Sequence, residues 1–186
     1  MSKKVLIIST SIRSNSNSEA LANAFAEGAR EAGNEVEVVS LRGKTIAFCK
    51  GCFACQKLGN CVIRDDANDL TEKLLNAEVV VWATPIYYYE MSGQMKTMID
   101  RANSLYSRDY KFRDVYLLST ATEDESYVDE GAVKGVNGWV ACFEKARFAG
   151  KVFAGGVTEP GAIAGHKGLA EAHDMGKSIS QKELAL

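Results

Sequence analysis

The sequence predicts an α/β fold with a doubly wound parallel sheet and helices on both faces. Three observations support this prediction. Apolar, β-branched segments alternate regularly with helical patterns along the chain. One of these segments is almost entirely apolar, as expected for a central parallel strand buried on both faces. The 186 residues suffice for a sizeable core and contain no linker or repeat, so we expect a single domain over residues 1–186.

The first half of the chain predicts three strands and two helices. Residues 5–8 form the first strand, Glu35–Ser40 the second and residues 78–84 the third. Ser16 begins a capping box ahead of the first helix, and Asp65 can cap the second. The inward positions of these two helices are Leu21, Phe25, Ala29 and Ala32, and then Leu70, Leu74 and Leu75.

The second half continues the alternation with two strands and three helices. The strands are residues 115–120 and 151–157. The helical stripes are Met91, Met95, Met98, Ile99 and Ala102; then Val133, Val136, Trp139, Val140 and Phe143; then Leu169, Ala172, Met175 and Ile179. Connections of this length place consecutive strands in parallel.

Five strands alternating with helices favour the flavodoxin-like strand order 2-1-3-4-5. A ligand then lies beyond the carboxyl ends of the strands, where the order reverses between the first and third strands. This rule selects the loops at residues 9–18, 85–91 and 119–127. A dinucleotide-binding arrangement fits less well, because the chain lacks the glycine-rich fingerprint and has Ser40 where an acid would bind a ribose hydroxyl.

The loop after the first strand is a candidate phosphate site. It offers hydroxyls, amides and the Arg13 guanidinium, and it leads into a helix whose free N–H groups and dipole favour an anion. Without a glycine-rich or Gly-Lys-Ser/Thr motif, the phosphate of a mononucleotide is the better match. The alternative is a surface loop rich in Ser and Asn.

Aromatic residues follow the third strand. We expect Pro85 to end this strand, because proline cannot donate to a ladder. Tyr87, Tyr88 and Tyr89 cannot all face one way, so at least one is expected to lie over the ligand site. An aromatic plane there suits a flat tricyclic ring. The alternative is that these rings pack around a sheet edge or a subunit interface.

Four of the five cysteines form a compact C-x2-C-x2-C-x5-C motif, made by Cys49, Cys52, Cys55 and Cys61. The spacing allows a [4Fe–4S] cluster. Structural zinc is less natural because its cysteine pairs are usually further apart. Free or redox-active thiols are the remaining interpretation. The fifth cysteine, Cys142, is expected to be a small buried hydrophobe.

The composition is that of an ordinary soluble globule. Apolar residues make up 46% and charged residues 25%, and the formal charge is −2, so no basic field indicates a nucleic-acid partner. The longest apolar stretch, residues 79–89, is too short to span a membrane. Since residues 1–20 lack a signal-peptide pattern, we expect a cytoplasmic protein without a membrane partner.

Taken together, these motifs resemble the NADPH-dependent FMN reductase-like branch of the flavodoxin superfamily, and within it the iron–sulfur flavoproteins. The resemblance runs from residue 5 to about residue 177. Its motifs are residues 9–13 with Asn17 and Ser18, the cysteine motif leading into Asp65 and Asp66, residues 83–87, and residues 94–96 with Asp100 and Arg101. The chain departs from the family in having Ile12 where members usually have proline.

The resemblance implies an FMN site built by three loops. The phosphate contacts it implies are Ser9, Ser11, Arg13, Ser16, Asn17 and Ser18. The isoalloxazine contacts are Pro85, Ile86, Tyr87 and Tyr88 from the third strand, and Ser119, Thr120 and Ala121 from the fourth. In the iron–sulfur flavoproteins a cysteine motif of this spacing holds the cluster, which here implicates Cys49, Cys52, Cys55 and Cys61.

The predicted function is that of an FMN-dependent oxidoreductase that accepts hydride from NAD(P)H and passes electrons to a second acceptor. The flavin supplies the chemistry, so no catalytic side chain is required. One alternative is an iron–sulfur flavoprotein that acts as an electron carrier. Another is a non-enzymatic sensor that uses the flavin or the thiols. The resemblance also implies a homodimer or homotetramer.

Overall fold

A five-stranded parallel sheet with helices on both faces forms the molecule, as described for residues 2–179 by a computed structural model. The strands are β1 (Lys4–Ser9), β2 (Glu35–Ser40), β3 (Val79–Tyr87), β4 (Glu90–Met91), β5 (Asp114–Thr120) and β6 (Arg147–Ala154). The helices are α1 (Asn17–Glu31), α2 (Ala54–Leu58), α3 (Asp66–Asn76), α4 (Gly93–Arg101), α5 (Glu130–Val140) and α6 (Lys167–Lys177), with a 3₁₀ helix at Ala102–Ser107.

The strand order is β2-β1-β3-β5-β6, and the short β4 pairs antiparallel with the end of β3. Counting the five parallel strands alone, this is the predicted 2-1-3-4-5 order, which is confirmed. The switch point lies between β1 and β3, which pair in parallel from Val5↔Val79 to Ser9↔Ala83. The loops after these two strands therefore diverge at one edge of the sheet and leave space for a ligand.

Two hydrophobic cores lie on opposite faces of the sheet because side chains alternate along each strand. Leu6, Ile8 and Trp82 pack on the face that α3, α4 and α5 cover. Val5, Ile7 and Val81 pack on the other face, which α1 and α6 cover. The alternation explains why β1 and β3 are apolar at nearly every position.

Glycines allow α1 and α6 to pack closely. A Cβ atom at Gly28 would lie 1.9 Å from the carbonyl oxygen of His173, and one at Gly176 would lie 2.1 Å from that of Phe25. Both distances are shorter than any real contact, so these positions require glycine. This packing fixes the start of α1, which carries part of the site described below.

The prediction that Pro85 ends the third strand is wrong. β3 continues to Tyr87, and Pro85 pairs with Thr120 of β5. The pairing between β1 and β3 ends at Ala83. On that edge of β3, Pro85 therefore has no β1 neighbour, and its missing N–H breaks no hydrogen bond to β1. The extension makes room for a hairpin with β4, which moves Met91 out of the predicted helical stripe and into a strand.

Three other boundaries differ from the prediction. The last strand covers Arg147–Ala154 rather than residues 151–157. Its first half, residues 147–150, is only partly buried and contains a glycine, which weakens the strand pattern. Helix α5 ends at Val140, so Phe143 packs from the following turn, and Ile179 lies beyond the end of α6.

Within residues 2–179, no helix combines the length and the apolar character needed to cross a membrane.

Candidate functional site

A small polar cavity lies at the carboxyl edge of the sheet, at the switch point. Its volume is about 140 Å³, and the loops after β1, β5 and β6 enclose it together with the end of β3. The lining residues are Ser11, Arg13, Ser16, Asn17, Ser18, Pro85, Ile86, Tyr87, Thr120, Thr122, Val157 and Thr158. Predicted phosphate contacts and predicted ring contacts thus meet in one cavity.

Two buried serines lie at the first turn of α1. Ser16 is the N-cap and accepts a hydrogen bond from the Glu19 N–H at 3.1 Å. Its hydroxyl lies 3.4 Å from that of Ser18. The positive end of the helix dipole is at this same turn, so hydroxyl donors and the dipole both favour an anion here.

Arg13 is the cationic residue among those that line the cavity. Its side chain is half-exposed, and its Nη1 atom donates to the Thr158 carbonyl at 2.8 Å. Its Nη2 atom lies 3.4 Å from the Glu159 carboxylate. The guanidinium therefore connects the loop after β1 with the loop after β6.

Asn17 binds the loop after β6 through its whole side-chain amide. The Nδ2 group donates to the carbonyls of Val157 at 3.3 Å and Glu159 at 3.0 Å, and Oδ1 accepts from the Ile163 N–H at 3.2 Å. Asn17 is buried. The structure thus gives this predicted phosphate contact a positioning role, in which it holds one wall of the cavity.

The predicted site omitted the loop after β6. This loop contributes main-chain carbonyls of residues that lie 140 or more positions from Asn17 in the chain. A stretch that reads Thr-Glu-Pro-Gly is a turn signal and carries no ligand pattern of its own. Sequence reasoning therefore had no signal by which to find it.

A larger cavity of about 490 Å³ adjoins the polar one and shares Ile86, Tyr87 and Thr122 with it. Its volume is in the range of small-molecule sites. The lining residues are Ile86, Tyr87, Tyr88, Tyr89, Ala121, Thr122, Glu123 and Val128. The predicted contacts Tyr88 and Ala121 therefore lie here, on the apolar and aromatic side of the site.

The turn between β3 and β4 is strained. Tyr88 and Tyr89 both have positive φ, +50° and +63°, a conformation rarely adopted by aromatic residues. The Tyr89 ring stacks on Tyr127 with centroids 6.1 Å apart, and its hydroxyl donates to Glu123 at 3.0 Å. The hydrogen bond to Glu123 raises the pKa of the Tyr89 phenol above its ordinary value. These contacts hold the turn, while Tyr88 is fully exposed.

Two of the predicted contacts do not reach either cavity. Ser9 is fully buried at the end of β1. Ser119 is also fully buried, and its hydroxyl donates to Asp129 at 3.2 Å, while Lys151 donates to the same carboxylate at 2.6 Å. The structure therefore places these serines beneath the site, where Ser119 ties β5 to the start of α5.

The four motif cysteines line another cavity of about 370 Å³, together with Phe53, Arg101 and Trp139 among others. All of them are free thiols. In the described part of the chain, however, no three His, Cys, Asp or Glu side chains are grouped closely enough to hold a metal ion. The thiols share one cavity but do not converge in this conformation.

Both ends of the cysteine segment, residues 48–62, are attached to Arg101. The guanidinium donates to the Ala47 carbonyl at 2.8 Å and to the Ile63 carbonyl at 3.1 Å. Between these ends the segment exposes large apolar side chains, including Phe48 and Phe53.

The prediction for the fifth cysteine is wrong, because Cys142 is exposed just past the end of α5.

Comparison with known proteins identifies the family. The family model described as NADPH-dependent FMN reductase matches residues 3–127. The chain belongs to this family. NADPH-dependent FMN reductases are flavin oxidoreductases, and FMN is accordingly the cofactor of this chain.

Individual relatives agree with the family. An iron-sulfur flavoprotein of Archaeoglobus fulgidus is 37% identical over 98 residues, which are 53% of this chain and 44% of the relative. The putative NAD(P)H-dependent FMN-containing oxidoreductase YwqN of Bacillus subtilis is 30% identical over 111 residues, 60% of this chain and 58% of that one. The chain spans about half the length of the curated relatives it matches.

Among solved structures, the NAD(P)H:quinone oxidoreductase of Methanothermobacter marburgensis superposes with a TM-score of 0.70. The superposition covers 97% of this chain and 100% of that one, at 16% sequence identity. The likeness confirms the fold over nearly the whole chain, including the part beyond the family match.

Proposed function

We propose that this FMN reductase family member is an NAD(P)H-dependent oxidoreductase that passes electrons from the nicotinamide through FMN to a second acceptor. The observation that carries the proposal is the adjacency of the two cavities. A polar cavity with hydroxyl and guanidinium donors opens beside a larger aromatic one, and they share Ile86, Tyr87 and Thr122. FMN has the same division, with a phosphate at one end and a flat ring at the other.

The residues present fit this cofactor. Ser11, Arg13, Ser16 and Ser18 would hold the phosphate, because charge-assisted and hydroxyl hydrogen bonds suit its oxygens. The aromatic cavity would hold the ring. Bound FMN supplies the hydride-accepting chemistry. The protein's share is to bind and orient the cofactor.

The strained turn supports a flat aromatic second acceptor. Tyr88 is held in an unfavourable backbone conformation although its ring packs against nothing, and such strain is typical of functional sites. The ring stands at the mouth of the aromatic cavity and can stack on a planar molecule. Quinone-type acceptors have this shape, and the quinone oxidoreductase named above shares the fold.

Steady-state oxidation of NADH and NADPH, with and without a quinone, tests the proposed activity. We expect flavin-dependent oxidation that the quinone accelerates. A protein that binds FMN but oxidises neither nucleotide under any acceptor would contradict the proposal and leave a sensor or a carrier.

An iron–sulfur flavoprotein that carries electrons is a second candidate. The observation that favours it is the common cavity of Cys49, Cys52, Cys55 and Cys61, and a relative with this name is 37% identical over part of the chain. The thiols do not converge as they stand, so a cluster requires the segment 48–62 to close around it. Iron and sulfide analysis of anaerobically purified protein tests this candidate. Four irons and four sulfides per chain would support it, whereas protein with flavin and no iron would exclude it.

We also propose a homodimer or homotetramer. The exposed apolar side chains near the site support this, since Phe48, Phe53 and Tyr88 are each more than half exposed. Light scattering after size exclusion gives the mass directly, and a monomer would contradict the proposal.

A further inference from the structure

The loop after β6 lies beyond residue 127, where the family match ends, yet it forms one wall of the polar cavity. Val157 and Thr158 line the cavity, and the Asn17 amide fixes the loop through three hydrogen bonds. The main chain of the loop is therefore held in place beside the proposed phosphate position.

Glu159 is the next residue, and its carboxylate faces the guanidinium that the phosphate would need. Arg13 Nη2 lies 3.4 Å from Glu159 Oε2. The Glu159 side chain is 82% exposed, so the loop and not burial determines its position. The pair is long and open to solvent, and pairs of this kind are weak and readily exchanged.

We infer that Glu159 is a specificity-determining residue of the flavin site, which lowers affinity for the phosphorylated flavin relative to riboflavin. This inference rests on the proposed FMN site. The carboxylate pairs with Arg13 when no phosphate is bound, and a bound phosphate must share the guanidinium with it or displace it. The Glu159 carboxylate and the phosphate repel each other and compete for one guanidinium, so Glu159 weakens the binding of FMN. It has no such effect on the binding of a flavin without a phosphate.

Flavin affinity of the apoprotein tests the inference without any turnover. Dissociation constants for FMN and for riboflavin are measured by fluorescence quenching for the wild type, Glu159→Gln and Glu171→Gln. Glu171 is exposed on α6 and gives the same change of net charge away from the cavity. Because exposed ion pairs are weak, we expect Glu159→Gln to tighten FMN binding by roughly two- to fivefold. Riboflavin affinity, and both affinities of Glu171→Gln, should stay unchanged.

The double variant Arg13→Ala/Glu159→Gln separates a direct effect from a change in the loop. Once the guanidinium is gone, the carboxylate has no cation for which to compete with the phosphate. The gain from Glu159→Gln should therefore shrink to the part that comes from direct repulsion between the two anions. An equal gain for FMN and riboflavin would overturn the inference, and so would an unchanged or weaker FMN affinity in Glu159→Gln. A wild-type protein that binds neither flavin would instead overturn the proposed function, which is a different result.

Discussion

The buried guanidinium of Arg101 donates to both carboxylate oxygens of Asp65, at 2.6 Å and 2.8 Å. The side chain of Arg101 is fully buried and that of Asp65 is 7% exposed. Asp65 also caps α3 by accepting the Ala67 N–H, and its other oxygen accepts the Ala47 N–H. This one ion pair therefore closes the base of the cysteine segment and joins it to α3 and α4.

Replacing Arg101 with methionine should destabilise the protein by about 3–5 kcal/mol, because the Asp65 charge would remain buried without a partner. The double variant Arg101→Met/Asp65→Asn should lose less stability, since asparagine removes the charge and still caps a helix. Denaturant unfolding measures both. An Arg101→Met protein as stable as the wild type would show that the pair contributes little.

The same pair makes stability depend on pH in the acid range. Burial acts to raise the pKa of the Asp65 carboxyl, but hydrogen bonds from Arg101 and from the Ala47 and Ala67 N–H groups outweigh it, so the pKa is lowered. The unfolded pKa is about 4. The Asp65–Arg101 pair therefore makes its full contribution to the free energy of unfolding above about pH 4, and this contribution is lost as the pH falls through the lower pKa of folded Asp65.

Unfolding free energies of the wild type and Asp65→Asn, measured from pH 7 down to pH 3, test this dependence. The advantage of the wild type should be constant near neutrality and shrink at the acid end. An advantage that does not change with pH would contradict the lowered pKa.

Arg13→Ala should weaken FMN binding by roughly tenfold, because a hydrogen bond to a charged group contributes about 1.5–3 kcal/mol and water compensates part of it at a half-exposed site. Riboflavin titrated in parallel is the control. A similar loss for both flavins would mean that Arg13 acts on the loop after β6 through Thr158, and not on the phosphate.

Most of the fold could be predicted from the sequence because it depends on patterns that are local. The apolar runs of β1 and β3 and the caps at Ser16 and Asp65 are confirmed. The site was predicted less completely, because the roles there depend on contacts between distant parts of the chain. The family motif indicates a phosphate contact at Asn17, but its amide binds a loop that lies 140 or more positions away in the chain. The sequence around Arg101 likewise does not reveal that this arginine is buried against Asp65.

Tyr88→Gly should have opposite effects on stability and on acceptor binding. Glycine adopts positive φ without strain, so the variant should be as stable as the wild type or more stable by up to about 1 kcal/mol. The loss of the ring should lower kcat/KM for an aromatic acceptor, and Tyr88→Asn, which also tolerates this conformation, should do the same. Tyr106→Ala removes another exposed tyrosine and serves as the control. If quinone kinetics are unaffected in both Tyr88 variants, the turn has no part in acceptor binding.

The absorption spectrum of anaerobically purified protein, followed by acid release and mass analysis of any chromophore, tests the central claim most directly. We expect the two visible bands of an oxidised flavin and the release of about one FMN per chain, since the polar cavity and the aromatic cavity beside it would together hold one FMN. A colourless protein that also fails to take up added FMN would contradict the account.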